Sequence, residues 1–519
     1  MRRGRLSRRG LLGGAILVLW VGLMGWQART VYLQPEMTRL AEATRGLDPG
    51  THFYAVRMGG EVVGMASSRL DTVPEGFLLE DRLNLELQAM AQEGMASAVT
   101  TVRLTPTLQM TDFTFELGSD AGRFVATGRV EGDSLLTVVV EAGGQPQEVS
   151  FRLTEPPISA SVLPIRIAQG GQLQVGRTVR YPVFDPSTVS TRQVEVEILE
   201  RDTLVLPDSA ARDPGSGRWA GAGHRSVTAW RLKESYGGIT VESWIDEDGR
   251  VLRSSSPTGL SLERVPFELV DQERSDARAA GGGGRPGSDV VFSTAIASNV
   301  DLSDAGERDA LRFVLSGVAL GDFDLEGGRQ ELRGDTLTVR REALDELEPG
   351  FRLPYPRMDL SWALSPEPLI QSGDERIRRA AETAVRPLRG QRNDPVAVAR
   401  RLNEAVYRML DKEMAFSLPS ALQVLETRAG DCNEHTVLYV ALARALGLPA
   451  RMAVGLVHLE GSFFYHAWPE VWLGEWVAMD PTLGQSPADA THLRFLTGSL
   501  AQQVEVARLI GNLRIEVLE

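Results

Sequence analysis

The chain holds one cysteine in 519 residues, Cys432, and only two lysines, Lys233 and Lys412. A single thiol excludes any intramolecular disulfide and any paired Cys-x-x-Cys site. In an oxidising compartment it also leaves the thiol no partner in its own chain. Scarce lysine makes nearly all the positive charge arginine, a bias that points to a GC-rich genome rather than to chemistry. Positive charge is short overall. The net charge is −14, and the first 30 residues contribute +6 through Arg2, Arg3, Arg5, Arg8, Arg9 and Arg29, leaving about −20 for the rest. Phosphate recognition needs clustered cations, so no nucleic-acid partner is expected. Hydrophobic content of 43% and charged content of 24% are ordinary for globular protein and allow more than one core. The length suggests about three domains.

Residues 1–31 read as a membrane anchor or signal segment. Five arginines precede an apolar run from Leu11 to Trp26, at the short edge of the roughly 17–25 residues a spanning helix needs. Trp26-Gln27-Ala28 is a poor cleavage site, which favours an uncleaved anchor. The arginines then lie in the cytoplasm and the chain after Thr30 outside it. Ser7-Arg8-Arg9-Gly10-Leu11-Leu12 also resembles a twin-arginine export signal, although simple flanking charge explains it equally. The expected location is the bacterial inner membrane, single-pass, with the bulk of the chain in the periplasm or outside the cell.

Residues 50–270 alternate with period two. Phe53 to Met58, Gly59-Gly60, then Val62 to Met65 reads as strand, tight turn, strand. Similar segments recur at Leu83–Leu87, Ala98–Leu104, Phe113–Leu117, Phe124–Val130 and Leu135–Val140, and again from Gln193 to Ser254. This spacing predicts a large antiparallel sheet, a sandwich or a half-barrel. The pattern loosely resembles periplasmic half-barrel domains of the lipoprotein-carrier kind, which implies a concave face able to hold an apolar group; a structural or partner-binding β domain is the plainer reading. Residues 271–289, with four consecutive glycines from Gly281, read as a flexible linker. Residues 290–365 read as a small mixed β module.

Helices take over from residue 366. Ile377, Ala380, Ala381, Ala384 and Val385 form a helical stripe. Asp394-Pro395 is a sound helix start, and another helix begins at Ser420. Gly430-Asp431-Cys432 places the thiol at the start of a helix that ends at Gly447. The positive end of the helix dipole is expected to lower the thiol pKa, and free backbone N–H groups there could bind an oxyanion. Beyond it, Ala450–Leu459, Phe463–Trp472 and Trp476–Asp480 read as three strands. A three-residue turn at Leu473-Gly474-Glu475 sets Trp472 opposite Trp476 and puts Asp480 on the face of His466; a two-residue turn would separate them.

Cys432, His466 and Asp480 thus form a candidate nucleophile, base and orienter. His435, three residues beyond Cys432, is an alternative base, and with Cys432, His466 and Asp480 it offers a zinc-type donor set, although no metal is expected. His458 and His492 read as structural, and Asp489-Ala490-Thr491-His492 as an ordinary loop that could line the cleft. Trp468, Trp472 and Trp476 read as core aromatics.

Several motifs agree in order and spacing: Gly430-Asp431-Cys432, Ala443 to Arg451, His466-Ala467-Trp468-Pro469-Glu470-Val471, and Trp476 to Thr482. Together they resemble the transglutaminase-like superfamily over roughly residues 370–500. The resemblance implies a papain-like fold for residues 366–519, so the fold class expected of the chain is α+β: the antiparallel β region followed by this catalytic domain. It implies Cys432 as nucleophile, His466 as general base and then acid, and Asp480 as the residue that orients the imidazole. It further implies attack on an amide or acyl carbonyl through a thioester, by an amidase, a peptidase or a transglutaminase-type acyltransferase. The expected substrate is a peptide, protein or cell-envelope amide, the membrane is met only through the N-terminal helix, and no cofactor is expected. The alternative is a catalytically silent scaffold whose β region binds a protein, lipid or glycan.

Overall fold

A computed structural model describes residues 36–518 apart from 90–91, 121, 133, 237–238, 280–294, 414–417 and 499–503. The expected N-terminal anchor at 1–31 and the glycine run lie outside the described residues. Among the described residues no helix is long and apolar enough to cross a membrane.

Residues 50–264 form one sheet of 15 strands. The first, Gly50–Met58, pairs on one side with Glu61–Val73 and on the other with the last, Leu260–Arg264. Successive hairpins extend both flanks, so almost every contact is between sequence neighbours; the one parallel pairing joins Thr178–Asp185 to Ile158–Ser159. Gly59 and Gly60 make the first turn with φ of 57° and 90°, values a side chain disfavours.

The sheet is a half-barrel, not a sandwich. Phe113 and Phe184 lie on strands ten positions apart in the sheet order. Laid flat at about 4.8 Å per strand they would be nearly 50 Å apart, yet their ring centroids are 5.1 Å apart. Phe151, on the edge strand, also meets Phe184, at 6.2 Å. The right-handed twist of a long sheet therefore curls its flanks toward each other. The interior between them is filled by Val162, Leu163, Ile165 and Ile167 from the short helix Leu163–Gln169 and its approach, and by Leu40. That packing is the core of this part of the chain.

The helix Phe267–Ala279 occupies the first half of the stretch read as linker. The stretch read as a separate β module, 290–365, shares its core with the C-terminal part of the chain. Ala310–Ser316 pairs with Thr336–Arg340 and with the C-terminal strand Arg514–Leu518, and Phe313 packs edge-on against Phe463 at 5.9 Å. Periodicity shows a strand but not the partner that closes its sheet, and here that partner lies some two hundred residues away.

The C-terminal part is built on four helices, α1 Glu375–Val385, α2 Pro395–Met409, α3 Ala421–Thr427 and α4 Cys432–Ala445. They pack beside the strands β1 Ala450–Leu459, β2 Ser462–Trp472, β3 Trp476–Ala478 and β4 Leu493–Thr497. The expected caps are present: Asp394 accepts from the Val396 and Ala397 N–H groups, and Ser420 from that of Gln423. From Glu434 to Arg444, α4 is buried on every side, so it is the central helix, with the other three and the sheet around it. The half-barrel docks onto α3: the Ser420 hydroxyl donates to the Ala142 carbonyl at 2.5 Å. At Gly143 a Cβ would press on Gln423 at 3.0 Å.

Candidate active site

Three local decisions of the sequence place the thiol. Gly430 has φ of 154°, and a Cβ there would come within 2.3 Å of Glu434, so only glycine lets the chain pass beneath that side chain. Asp431 then caps α4 in a reciprocal box. Its carboxylate accepts the Asn433 N–H at 2.8 Å and that of Glu434, while Glu434 accepts the Asp431 N–H at 2.9 Å. Cys432 is the first helical residue. Its sulfur accepts the backbone N–H of Ala467, so it lies against β2 beside His466.

The hairpin register is the next determinant. Trp472 faces Trp476 across the three-residue turn, as the sequence requires for the two residues to meet. His466 Nε2 donates to Asp480 Oδ2 at 2.8 Å, with His466 only 6% exposed and Asp480 fully buried. The other carboxylate oxygen accepts the N–H groups of Thr482 and Leu483 at 2.7 and 2.8 Å. Burial alone would push this carboxyl up; its pairing with His466 and the hydrogen bonds from His466 and His492 outweigh it and hold it well below the usual carboxylate range.

His492, read from the sequence as structural, belongs to this centre. Its Nε2 donates to the same Asp480 oxygen at 2.9 Å, and its Nδ1 to Asp489 at 3.1 Å. Both ring nitrogens therefore face carboxylates, which requires an imidazolium. Burial opposes the charge, but the hydrogen bonds to Asp480 and Asp489 outweigh it and raise the pKa. Asp489 is held in turn by the Thr491 hydroxyl at 2.6 Å and the Gln485 amide at 2.8 Å. The only sequence signal was the Asp489-Ala490-Thr491-His492 cluster itself. The ligand atoms of His466, Asp480 and His492 all lie within 4.8 Å of one another, and these are the residues that could hold a metal ion.

His435 does not join the centre. Its Nδ1 donates to the Asp431 carbonyl at 2.7 Å, and burial lowers its pKa. His458 packs against Phe463 at 5.3 Å. Trp468 is fully buried and stacks on His466 with ring centroids 6.0 Å apart. Trp472 and Trp476 pair near the turn at 5.5 Å. Behind the hairpin, buried Glu470 bonds Arg451 at 2.8 Å and Arg494 at 3.3 Å, which ties β2 to β4.

The electrostatics of Cys432 differ from the expected lowering. Burial first, then the charge of Asp431, push the thiol well above its ordinary value. Burial is the larger cause of the reversal, and the cap adds to it. Asp431 takes the N–H groups of the first turn and sets a negative charge where the bare helix would present a positive one. Of those donors the Cys432 N–H remains, among the described residues, to meet a substrate oxygen.

By fold, then, the C-terminal part is an α+β unit with a thiol at a helix start, set against a sheet that carries a buried His–Asp pair. Residues 382–481, which contain all three, match the model of the Transglutaminase-like superfamily, so this part of the chain contains a transglutaminase-like domain. Among curated proteins none matches. Among solved structures the chain is similar to a candidate cysteine protease from Cytophaga hutchinsonii, with 16% identity, 40% of this chain and 80% of that one covered, and a TM-score of 0.27. It is also similar to a β-barrel-like protein of the domain of unknown function DUF1849 from Brucella abortus, with 13% identity, 42% and 95% covered, and a TM-score of 0.30. Likenesses at these scores do not bear on activity.

Proposed function

We propose that the transglutaminase-like domain is a cysteine enzyme that attacks an amide or acyl carbonyl and passes through a thioester. Cys432 is the nucleophile, His466 the base and then the acid, and Asp480 the orienter. The observation that carries the reading is the buried 2.8 Å contact between His466 Nε2 and Asp480. It commits Nε2 to donation and leaves Nδ1 as the ring nitrogen that can take a proton. His492, itself held by Asp489, donates to the same Asp480 oxygen and helps fix the carboxylate.

The Cys432 proton moves to His466 Nδ1 as sulfur bonds to the carbonyl carbon, and the carbonyl oxygen gains the negative charge. The Cys432 N–H stabilises that oxyanion. His466 returns the proton to the departing amine, the C–N bond breaks, and a thioester remains. Water or a second amine then attacks the thioester and gives its proton to His466, which delivers it to the leaving thiolate. Water as acceptor makes the enzyme an amidase or peptidase; an amine makes it an acyltransferase.

The test is capture of the acyl group with a biotin-tagged alkylamine in a lysate of cells expressing the full chain. A tagged adduct that is lost in Cys432→Ala and in His466→Ala is expected, and the attached acyl group names the substrate. No acyl transfer to amine or to water would leave only the scaffold reading. Residues 1–31 as an anchor would put this chemistry outside the cytoplasm, on envelope peptides or amides. Protease added to spheroplasts should then degrade the domain, and full protection would exclude that location.

A further inference from the structure

A second site stands in the half-barrel. A cleft of about 390 Å³ opens between the start of the strand Gly50–Met58, the long hairpin of Ser190–Arg212 and Trp219–Tyr236, and the end of Leu260–Arg264. The first strand and the hairpin are not neighbours in the sheet; its curl brings them together, outside the filled core. His52, Arg225 and Arg264 supply the polar wall, and Phe53, Leu206 and Val227 the apolar one.

The charge in the cleft is unbalanced. Arg264 meets Asp246 at 3.5 Å. Arg225 is exposed, and neither it nor Arg250 has a carboxylate partner among the described residues. Arg250 donates to His52 Nε2 at 2.6 Å and to the Asp48 carbonyl. A guanidinium can only donate, so His52 Nε2 must accept, and the ring is neutral with its proton on Nδ1. Burial and then the Arg264, Arg250 and Arg225 charges lower the His52 pKa to about 3, so the ring stays a neutral donor at any ordinary pH. One carboxylate, Asp208, also lines the cleft. Arg225 and Arg264 are the two guanidinium groups that line the cleft, against one lining carboxylate, so its wall is net positive in a protein whose charge is −14.

We infer that this cleft binds a small amphiphilic anion, a carboxylate or phosphate monoester with a short apolar tail. The head would take hydrogen bonds from Arg225 and Arg264, and the tail would lie on Phe53, Leu206 and Val227. Forked guanidinium donors suit an oxyanion. The volume falls in the range of sites that enclose a small ligand. A free metabolite and a lipid head group offer the same chemistry.

Titration calorimetry of the full chain with octyl phosphate, octanoate and the neutral octyl glucoside tests the inference. Binding of either octyl anion and none of the glucoside is expected. Arg225→Ala should weaken binding tenfold or more; it removes an exposed side chain, so folding is not at risk. Arg201→Ala, on the same hairpin but outside the cleft, should leave binding unchanged. Failure of both anions to bind, equal binding of the glucoside, or equal affinity in Arg225→Ala would overturn the site. Sedimentation with phosphatidylglycerol vesicles that Arg225→Ala abolishes would identify a lipid head group as the source. Binding of octyl phosphate without vesicle retention would identify a free anion.

Discussion

Replacing His492 by phenylalanine removes a buried positive charge from between two buried carboxylates. In the wild type its two ring nitrogens reach Asp480 at 2.9 Å and Asp489 at 3.1 Å, and the residue is 0% exposed. Breaking one side of a buried ionic network costs about 3–5 kcal/mol. At about 3 kcal/mol the open form of this domain becomes roughly 150 times more populated. The single cysteine makes that measurable. Cys432 is half-buried in the folded domain, so the rise of pulse labelling in mild urea above the native-state rate reports opening of this domain, whatever the half-barrel does. The pH dependence has a defined sign. The His492 pKa is raised, so its contribution is complete below the unfolded value of about 6.5 and is lost as pH rises through the elevated folded value. Asp480 and Asp489 are depressed, so theirs is present above about 4 and is lost only as pH falls well below the usual carboxylate range. The gap between wild type and His492→Phe, corrected for intrinsic thiol reactivity, should therefore be widest near pH 5–6 and should narrow in alkali. A change below about fivefold at pH 6, or an equal gap at both ends of the range, would refute the buried imidazolium.

Asp480→Asn should lower acyl transfer by on the order of 10³–10⁴, since an amide can present its N–H to His466 and favour the wrong tautomer; single-turnover capture of the acyl group by the folded fraction measures it. Gly430→Ala should cost about 1–3 kcal/mol by pulse labelling, because the new Cβ meets Glu434 at 2.3 Å. Glu470→Gln should cost about 3–5 kcal/mol in the same assay, because it leaves Arg451 and Arg494 without their shared buried carboxylate.

What the sequence disclosed depended on how local the cause was. The helix starts at Asp394 and Ser420 rest on residues three apart, and the structure shows them. The meeting of His466 with Asp480 rests on the length of one turn, which the sequence leaves as two or three residues and the structure shows as three, with Trp472 opposite Trp476. The half-barrel strands were legible from alternation, whereas the curl that brings Phe113 onto Phe184 is a property of the whole sheet. The return of Arg514–Leu518 to pair with Ala310–Ser316 is equally non-local. His492 escaped because its function depends on a loop fold. Asp489 has to turn its carboxylate back to Nδ1, which the bonds from Gln485 and Thr491 arrange.

The reversed expectation for Cys432 bears on the kind of nucleophile it is. A thiol at a bare helix start would ionise readily, and the enzyme would rest as a thiolate–imidazolium pair. Here Asp431 occupies the dipole end, and Asp480 adds a second negative charge nearby. Burial first, then the Asp431 charge, push the Glu434 carboxyl well up. A resting thiolate would face two carboxylates in a poorly solvated place, so the thiol keeps its proton. Proton transfer to His466 must then accompany attack, driven by charge moving from sulfur to the carbonyl oxygen beside the Cys432 N–H. An electrophile that develops no oxyanion, such as iodoacetamide, should accordingly modify Cys432 more slowly than a free thiol at neutral pH. His466→Ala should impair acyl transfer far more than alkylation. Ultraviolet thiolate absorbance at pH 7 that vanishes in Cys432→Ser would contradict this order of events and restore the preformed ion pair.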